Sequence, residues 1–387
     1  MATRSIAPDR RQRFEQLSNH LSLPEQWNDL IHDDRPLWAP VSSRIGHRVQ
    51  RHRYLSRHLS SIALAARHKG ARWLIGHGTA IEPWAIHSAK TYGVDWTSIS
   101  PDELEIDINS AVVALADRVH ALHVRSSGLI AKLLSHRIKY DPVSVRVALG
   151  HNGTESFGLD LLAMGAIGCY LPAEHSDSFE HVLPAQVNVC DFAEIDSDAW
   201  LVHCTRATQG PWPNQTWDRY RDDLLLGSWQ TASRTPLDTL CRIVHSGILV
   251  AGAIASRHAD PVVCFSNAPL KQLLAKRTYR SHLKRWDYEP CGIAIRVDAA
   301  REAGVLPVTY VNAIPKQHAV DSYLHVARGH TVDWTHEREW RCKGNLDLTR
   351  LPIDAVALFV PDSVSLNTIQ AVNVNGWKTC IVDSSNE

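Results

Sequence analysis

The chain has 387 residues, 44% of them hydrophobic and 21% charged, which excludes global disorder and is too long for one ordinary core, so two domains are expected. Its 41 Lys plus Arg balance 41 Asp plus Glu, which excludes a whole-molecule field that would draw it to nucleic acid or membrane. The 22 histidines are scattered, and the eight cysteines carry neither a C-x-x-C pair nor a zinc-ligand spacing, so free thiols in a reducing compartment and no metal centre are expected.

The N-terminus has no apolar signal core and no apolar run is long enough for a bilayer, so the expectation is a cytoplasmic protein without membrane contact. Residues 1 to about 65 read as a separate basic helical segment. Arg44, His47, Arg48, Arg51, His52, Arg53, Arg57 and His58 crowd a run that turns apolar from Leu59 to Ala66. A solvated helix face and a phosphate grip are the two readings of that run.

From Arg72 a strand, glycine turn, helix rhythm predicts a parallel α/β sheet over residues 66–185. Trp73 to Gly76 is a short strand, Gly76-His-Gly78-Thr79 a tight turn, and Glu82 to Tyr92 a helix. A helix-like stretch over 101–117, a strand Val119 to Arg125, a turn Ser126-Ser127-Gly128 and a helix Leu129 to Lys139 follow. The strand Val143 to Leu149, a polar loop from His151 to Ser156 and an apolar helix to Ala166 complete it, and Pro172, Pro184 and the acidic run 191–198 mark a boundary.

Residues 195–387 predict an α+β domain with few helices. Its strands fall at 199–205, 261–266, 291–297, 308–312, 334–341, 355–360 and 377–382, with helices at 236–246 and 365–371.

A phosphate needs a turn without side chains, where backbone N–H groups and a helix N-terminus face it. Gly76-x-Gly78 with the Thr79 hydroxyl supplies that pattern, although Ile81 stands where a third glycine would complete the dinucleotide fingerprint and Glu82 brings a repelling charge. Arg125 and Gly128 are expected to form the other lip of the same crevice. Residues 70–170 thereby resemble the Rossmann-like nucleotide-binding domains of the Smf/DprA–LOG group, and the resemblance implies a nucleotide ligand.

The second candidate site is Glu337-Arg338-Glu339, flanked by Trp334 and Trp340. Along a strand both carboxylates would share one face, with Arg341 beside them, and Arg338 would point the other way. Upstream lie a strand histidine, His203, with Thr205 beyond it, and a polar strand end, Ser266-Asn267. The order His, Ser, Glu-x-Glu resembles the motif order of ADP-ribosyltransferases, although Ser266 lacks their Ser-Thr-Ser form. More broadly, Val262-Val-Cys-Phe-Ser-Asn-Ala-Pro269, Gly292-Ile-Ala-Ile295, Pro307-Val-Thr-Tyr310 and Glu337 to Arg341 resemble bacterial abortive-infection (AbiGi-type) proteins, without the usual phenylalanine at the second segment.

These resemblances imply an ADP-ribosyltransferase-like C-terminal domain that uses NAD as substrate in phage defence or a toxin–antitoxin setting. His203, Thr205, Ser266 and Asn267 would position NAD, Tyr310 would stack on nicotinamide, Glu339 would stabilise the oxocarbenium and Glu337 would orient the acceptor. Protein, nucleic acid and water remain open as acceptors, as does a homo-oligomer. Three other readings stand beside this one: a strand-locking Glu–Arg pair without chemistry, a non-catalytic nucleotide sensor or antitoxin-like protein, and a nucleic-acid-acting effector that uses the basic 44–58 helix, against which the balanced net charge weighs.

Overall fold

A computed structural model of the chain describes residues 10–18, 23–100, 106–150, 156–171, 188–227, 229–252, 260–281, 285–311, 321–328 and 335–382. Several features of the sequence lie outside these ranges: the loop at 151–155, Pro172 and Pro184 of the expected boundary, Asn312, and Trp334. The chain divides into two compact units: 1–176 with 209–233, and 177–208 with 234–387.

The first unit holds α1 (Arg10–Leu17), α2 (Asn28–Ile31), β1 (Leu37–Ser42), α3 (Val49–Lys69), β2 (Arg72–Gly76), α4 (Glu82–Tyr92) and β3 (Trp96–Ile99). It continues with α5 (Ile108–Leu115), β4 (Arg118–His123), α6 (Leu129–Tyr140), β5 (Val145–Leu149), α7 (Ser156–Ala163) and β6 (Ile167–Tyr170). All six strands are parallel, in the order β3-β2-β1-β4-β5-β6. That is the doubly wound, Rossmann-like order, with its reversal point between β1 and β4.

Residues 1–65 are therefore no separate segment, because they supply the central strand. β1 is buried at all six positions, so it lacks the alternation that marks a half-exposed strand. Pro40 also disguises it, since proline cannot donate within a sheet. The Leu37 N–H bonds the Asp117 carboxylate and its carbonyl accepts from the Asp117 N–H, both on the β4 side. Parity then turns the missing N–H of Pro40 toward β2, where registered pairing ends at Trp38. The basic run enters α3 at Val49: Arg44, His47 and Arg48 are exposed, Arg51, Arg53 and Arg57 half-buried, and His52 and His58 are buried with Leu55, Leu59 and Ile62 on the core face of the helix.

α5 is buried almost all round, and its C-terminal carbonyls need partners that no following turn supplies. Two buried arginines provide them. Arg13 of α1 donates to Ala114 O and Leu115 O (2.8 and 2.6 Å), and Arg137 of α6 to Ala116 O and Val113 O (3.0 and 3.2 Å). Cations at a helix C-terminus also complement its dipole.

The second unit contains α8 (Phe192–Ile195) and β7 (Trp200–Cys204), after which the chain contributes α9 (Trp217–Leu226) and α10 (Trp229–Ala232) to the first unit. It resumes with α11 (Pro236–Ser246), β8 (Ile248–Leu249), β9 (Val262–Ser266), α12 (Leu270–Ala275), β10 (Tyr279–Arg280), β11 (Arg285–Trp286), β12 (Gly292–Arg296) and α13 (Val297–Glu302). β13 (Leu306–Pro307), β14 (Thr309–Val311), β15 (His325–Ala327), β16 (Glu339–Lys343), β17 (Leu346–Asp347), β18 (Val356–Val360), α14 (Ser363–Gln370) and β19 (Lys378–Ile381) follow.

The main sheet runs β13-β16-β9-β7-β12-β18-β19, antiparallel apart from the β18–β19 pair. One core packs Leu201, Phe265, Ile293, Trp340 and Leu358 against α11 and α14; the other packs Val202, Ala294 and Phe359 against Leu270 and Leu273 of α12. β7 is registered with β12 over five pairs but with β9 at a single pair, Val202 with Ser266. The sheet opens there. Gly292 permits the tight β7–β12 side, because a Cβ at that position would lie 2.2 Å from His203 O.

Asp117 ties the first unit together, accepting from Arg10 (2.6 Å), Arg13 (3.0 Å) and the Leu37 amide (2.8 Å). Burial alone would raise its carboxyl, but the Arg10 hydrogen bonds, the Leu37 amide and the two guanidinium charges outweigh it and hold the group below the ordinary carboxylate range. A depressed folded value contributes stability above the unfolded value, about 3.9, and loses it as pH falls through the folded one. Asp117→Asn should therefore cost about 3 kcal/mol in urea unfolding at pH 7, and the gap from wild type should narrow steadily as the same measurement is taken down toward pH 3.

Candidate active site

A cleft of about 270 Å³ lies where β7 and β9 separate, lined by His203, Arg206, Ser266, Tyr288, Glu337 and Glu339, among others. Three segments singled out in the sequence thus meet in one place. β7 brings His203, the end of β9 brings Ser266, and the start of β16 brings Glu339 directly opposite Ser266. Among the described residues no group of three or more His, Cys, Asp or Glu side chains is placed to hold a metal.

His203 spans the opening in the sheet. Its Nδ1 is 2.8 Å from Cys264 O, and a carbonyl only accepts, so Nδ1 carries the proton and Nε2 is left as an acceptor. Burial lowers its pKa from the ordinary histidine value, which keeps the ring neutral near pH 7.

The two glutamates reach the cleft by different routes. β16 begins only at Glu339; Glu337 belongs to a 3₁₀ turn, Thr335–Glu337. Arg338 between them has φ of 45°, a left-handed conformation unfavourable for a side chain-bearing residue. The expectation of one continuous strand with both carboxylates on one face therefore fails for Glu337. A local reversal at Arg338, fastened by the Asn267 N–H to Arg338 O (3.1 Å), points it inward instead. Strand parity does hold for Arg341, whose Nε and Nη2 donate to the two oxygens of Glu339 (2.8 and 3.2 Å) while Nη1 donates to Tyr323 O (2.8 Å).

The remaining predicted residues serve the backbone. Ser266 donates its hydroxyl to Glu337 O and accepts from the Ala268 N–H (3.2 Å), so it anchors the Glu337 turn and has no proton left for a ribose. The Thr205 hydroxyl lies 2.9 Å from Pro236 O and 3.0 Å from Cys291 O. Asn267 donates its side-chain amide to Asp198 O and Trp200 O. Tyr310 does not line the cleft; its hydroxyl accepts from the Glu339 N–H at 3.1 Å, bracing the start of β16.

Sequence reasoning missed Tyr288, whose hydroxyl donates to the Glu337 carboxylate. It also missed Arg206, two residues beyond β7, which donates to Asp287 O at 3.2 Å. Neither sits in a recognisable pattern, since the Tyr288–Glu337 contact joins positions 49 apart. Burial pushes the Glu337 carboxyl above its ordinary value, the Tyr288 hydrogen bond pulls it part of the way back, and the charge of Glu339 adds to the rise. Two carboxylates in unlike surroundings, one on a guanidinium and one on a phenol, are the arrangement from which acid–base roles separate.

The glycine turn of the first unit differs from its prediction. The Glu82 carboxylate accepts from the Gly78 N–H (2.7 Å) and contacts His77 Nδ1 (2.8 Å), so the donor a phosphate would need is already taken. Thr79 donates its hydroxyl to Gly76 O, and Gly76 is glycine because a Cβ would lie 2.9 Å from Thr79 and 3.0 Å from Ile108. Nor do the two expected lips form one crevice. Gly76 ends β2 while Arg125 and Gly128 follow β4, with β1 between the two strands. Arg125 donates to Arg44 O (3.1 Å) and its N–H to the Ser43 hydroxyl (3.1 Å), bridging the ends of β1 and β4, and Gly128 caps α6.

No family model and no curated protein matches this sequence. Among solved structures, the chain is similar to DNA processing protein A (DprA) from Streptococcus pneumoniae, with 13% identity and a TM-score of 0.30 over 36% of this chain and 60% of that one. The Rossmann-like character of the first unit rests on its own strand order.

Tyr288→Phe should raise the Glu337 pKa further, because the hydrogen bond that favours the ionised carboxylate is lost. Carboxyl 13C chemical shifts followed through a pH titration would measure it, and an unchanged midpoint would show that the phenol does not hold the ionised form.

Proposed function

We propose that the second unit is an NAD-cleaving enzyme of the ADP-ribosyltransferase type, acting as a bacterial defence or toxin-type effector. The observation that carries this reading is the convergence of His203, Glu337 and Glu339, from three separate segments, on one cleft. The phage-defence setting follows from the resemblance of residues 199–360 to abortive-infection proteins. At about 270 Å³ the cleft is near the lower limit for a ligand pocket and suits one end of a dinucleotide.

In this reading His203 Nε2 accepts a hydrogen bond from a ribose hydroxyl and fixes the sugar. The bond between ribose C1′ and nicotinamide then breaks, with both electrons leaving on the nicotinamide. Positive charge develops on the sugar, and Glu339, held in place by Arg341, faces it. Glu337 takes the proton of the incoming acceptor, and its raised pKa brings that base closer to neutral pH. Ser266 and Tyr310 act as positioning residues, one for each glutamate.

Purified protein given NAD should release nicotinamide, measured by chromatography. Glu339→Gln should lower the rate by about 100-fold or more, and His203→Ala should chiefly raise KM. If wild-type protein neither releases nicotinamide nor labels a macromolecule in cell extract, the reading is wrong. One observation favours a second reading, a non-catalytic ligand-binding unit: both oxygens of Glu339 are already bonded to Arg341. Under that reading NAD would raise the melting temperature of the wild type without being consumed.

A further inference from the structure

The β10–β11 hairpin stands next to the cleft and is strongly basic. Residues 276–286 read Lys-Arg-Thr-Tyr-Arg-Ser-His-Leu-Lys-Arg-Trp, five cations and no acid in a protein whose formal net charge is zero. Tyr279 pairs across the hairpin with Trp286, and Arg280 with Arg285. Like charges placed directly opposite destabilise a ladder. Asp287 relieves Arg280 at 2.8 Å, whereas among the described residues no acidic side chain pairs with Arg285 or with nearby Arg206.

The aromatic pair is as unusual as the charge. Tyr279 is 47% exposed and Trp286 38%, with ring centroids 5.4 Å apart at 67° and the Arg277 guanidinium 5.0 Å from the Trp286 ring. The faces that these two aromatics leave exposed are open to a partner. Aromatic faces interleaved with arginines are the chemistry that holds single-stranded nucleic acid, by stacking on unpaired bases and pairing with phosphates. The hairpin is also joined to the cleft at both ends, since Leu273 before it and Tyr288 after it line the cleft, and Tyr288 bonds Glu337.

We infer that this hairpin is the acceptor platform of the site and that the acceptor is single-stranded nucleic acid. The inference rests on the ADP-ribosyl transfer proposed above. Bases stacked on Tyr279 and Trp286 bring the next nucleotide to Glu337. Nicotinamide leaves with both electrons of the C1′–N bond, and a lone pair on a hydroxyl or ring nitrogen of that nucleotide forms the new bond to C1′. The proton it sheds passes to the Glu337 carboxylate.

The test uses the full chain and fluorescein-labelled oligothymidylate and oligouridylate, with binding read by anisotropy over a range of salt. The wild type should bind at least one of them. Tyr279→Ala and Trp286→Ala should each weaken binding about 10-fold, within the range for loss of one stacked base, while Trp286→Phe should retain most of it. Arg285→Ala should reduce the salt slope by about 0.7, the share of one phosphate contact on a single strand. With adenylate-labelled NAD, label should pass to the oligonucleotide in the wild type and be lost in the two alanine variants.

Absence of binding, binding indifferent to Tyr279 and Trp286, or binding through them to phosphatidylserine vesicles but to no oligonucleotide would overturn the inference. Nicotinamide release by the wild type together with any of those results would leave the enzyme standing without this acceptor. Conversely, oligonucleotide binding through Tyr279 and Trp286 without nicotinamide release would retain the platform, remove the chemistry, and so overturn the acceptor role.

Discussion

β16 lies against β9 in a register that sets Glu339 opposite Ser266 and Arg341 opposite Cys264. A slip of one residue would carry Trp340 out of the apolar core and turn both charged groups into it. The same register places the Ser266 hydroxyl under the Glu337 carbonyl and allows the turn at Arg338 to close. Left-handed backbone at a residue that is not glycine persists only where its surroundings over-determine it. Here the Asn267 amide, the Ser266 hydroxyl and the Tyr288 phenol all hold the segment. Everything the cleft offers follows from that one alignment of strands.

Burial and charge are managed differently in the two units. In the first, buried arginines are spent on backbone: Arg13 and Arg137 satisfy the end of α5, and burial with the Arg13 charge nearby lowers the Arg137 pKa to about 9. These cations sit in the core and present no surface to a ligand. In the second, carboxylates line a cleft, and among the described residues no acidic side chain pairs with Arg285 of the hairpin beside it. A formal net charge of zero over the chain conceals both arrangements.

The Glu82 carboxylate shows why a short motif is weak guidance to a ligand. A glycine turn between strand and helix leaves backbone donors facing outward, and an anion satisfies them. In this chain the anion is a side chain four residues on, so the turn satisfies itself. The strand order independently directs attention to the ends of β1 and β4, where doubly wound sheets reverse.

The sequence by itself determined what depends on neighbours along the chain. α4 was predicted with its observed ends, closed by Gly93, and α11 runs from a Thr235–Asp238 capping box to a left-handed Gly247, within the predicted 236–246. The alternation of β16 put Glu339 and Arg341 on one face, and β2, β4 and β5 of the first unit and β7, β9, β12, β18 and β19 of the second were predicted to within a residue or two, whereas β3 and β6 were not predicted. Tertiary structure decided what depends on partners far away. β1 reads poorly because a strand buried on both faces has no period and Pro40 argues against it; only β4 and β2 on either side make it the centre of a sheet. The return of 209–233 to the first unit could not be read either, since it rests on contacts of α9 with α3 and α4. The same holds in the cleft. Whether Ser266, Thr205 and Tyr310 face a ligand or bond the backbone is settled by which carbonyl or amide comes within about 3 Å of each hydroxyl. The partners Pro236 and Cys291 of Thr205, Glu337 of Ser266 and Glu339 of Tyr310 lie 29 to 86 positions away in the chain, and a sequence pattern records residue types but not the distances that folding sets between them.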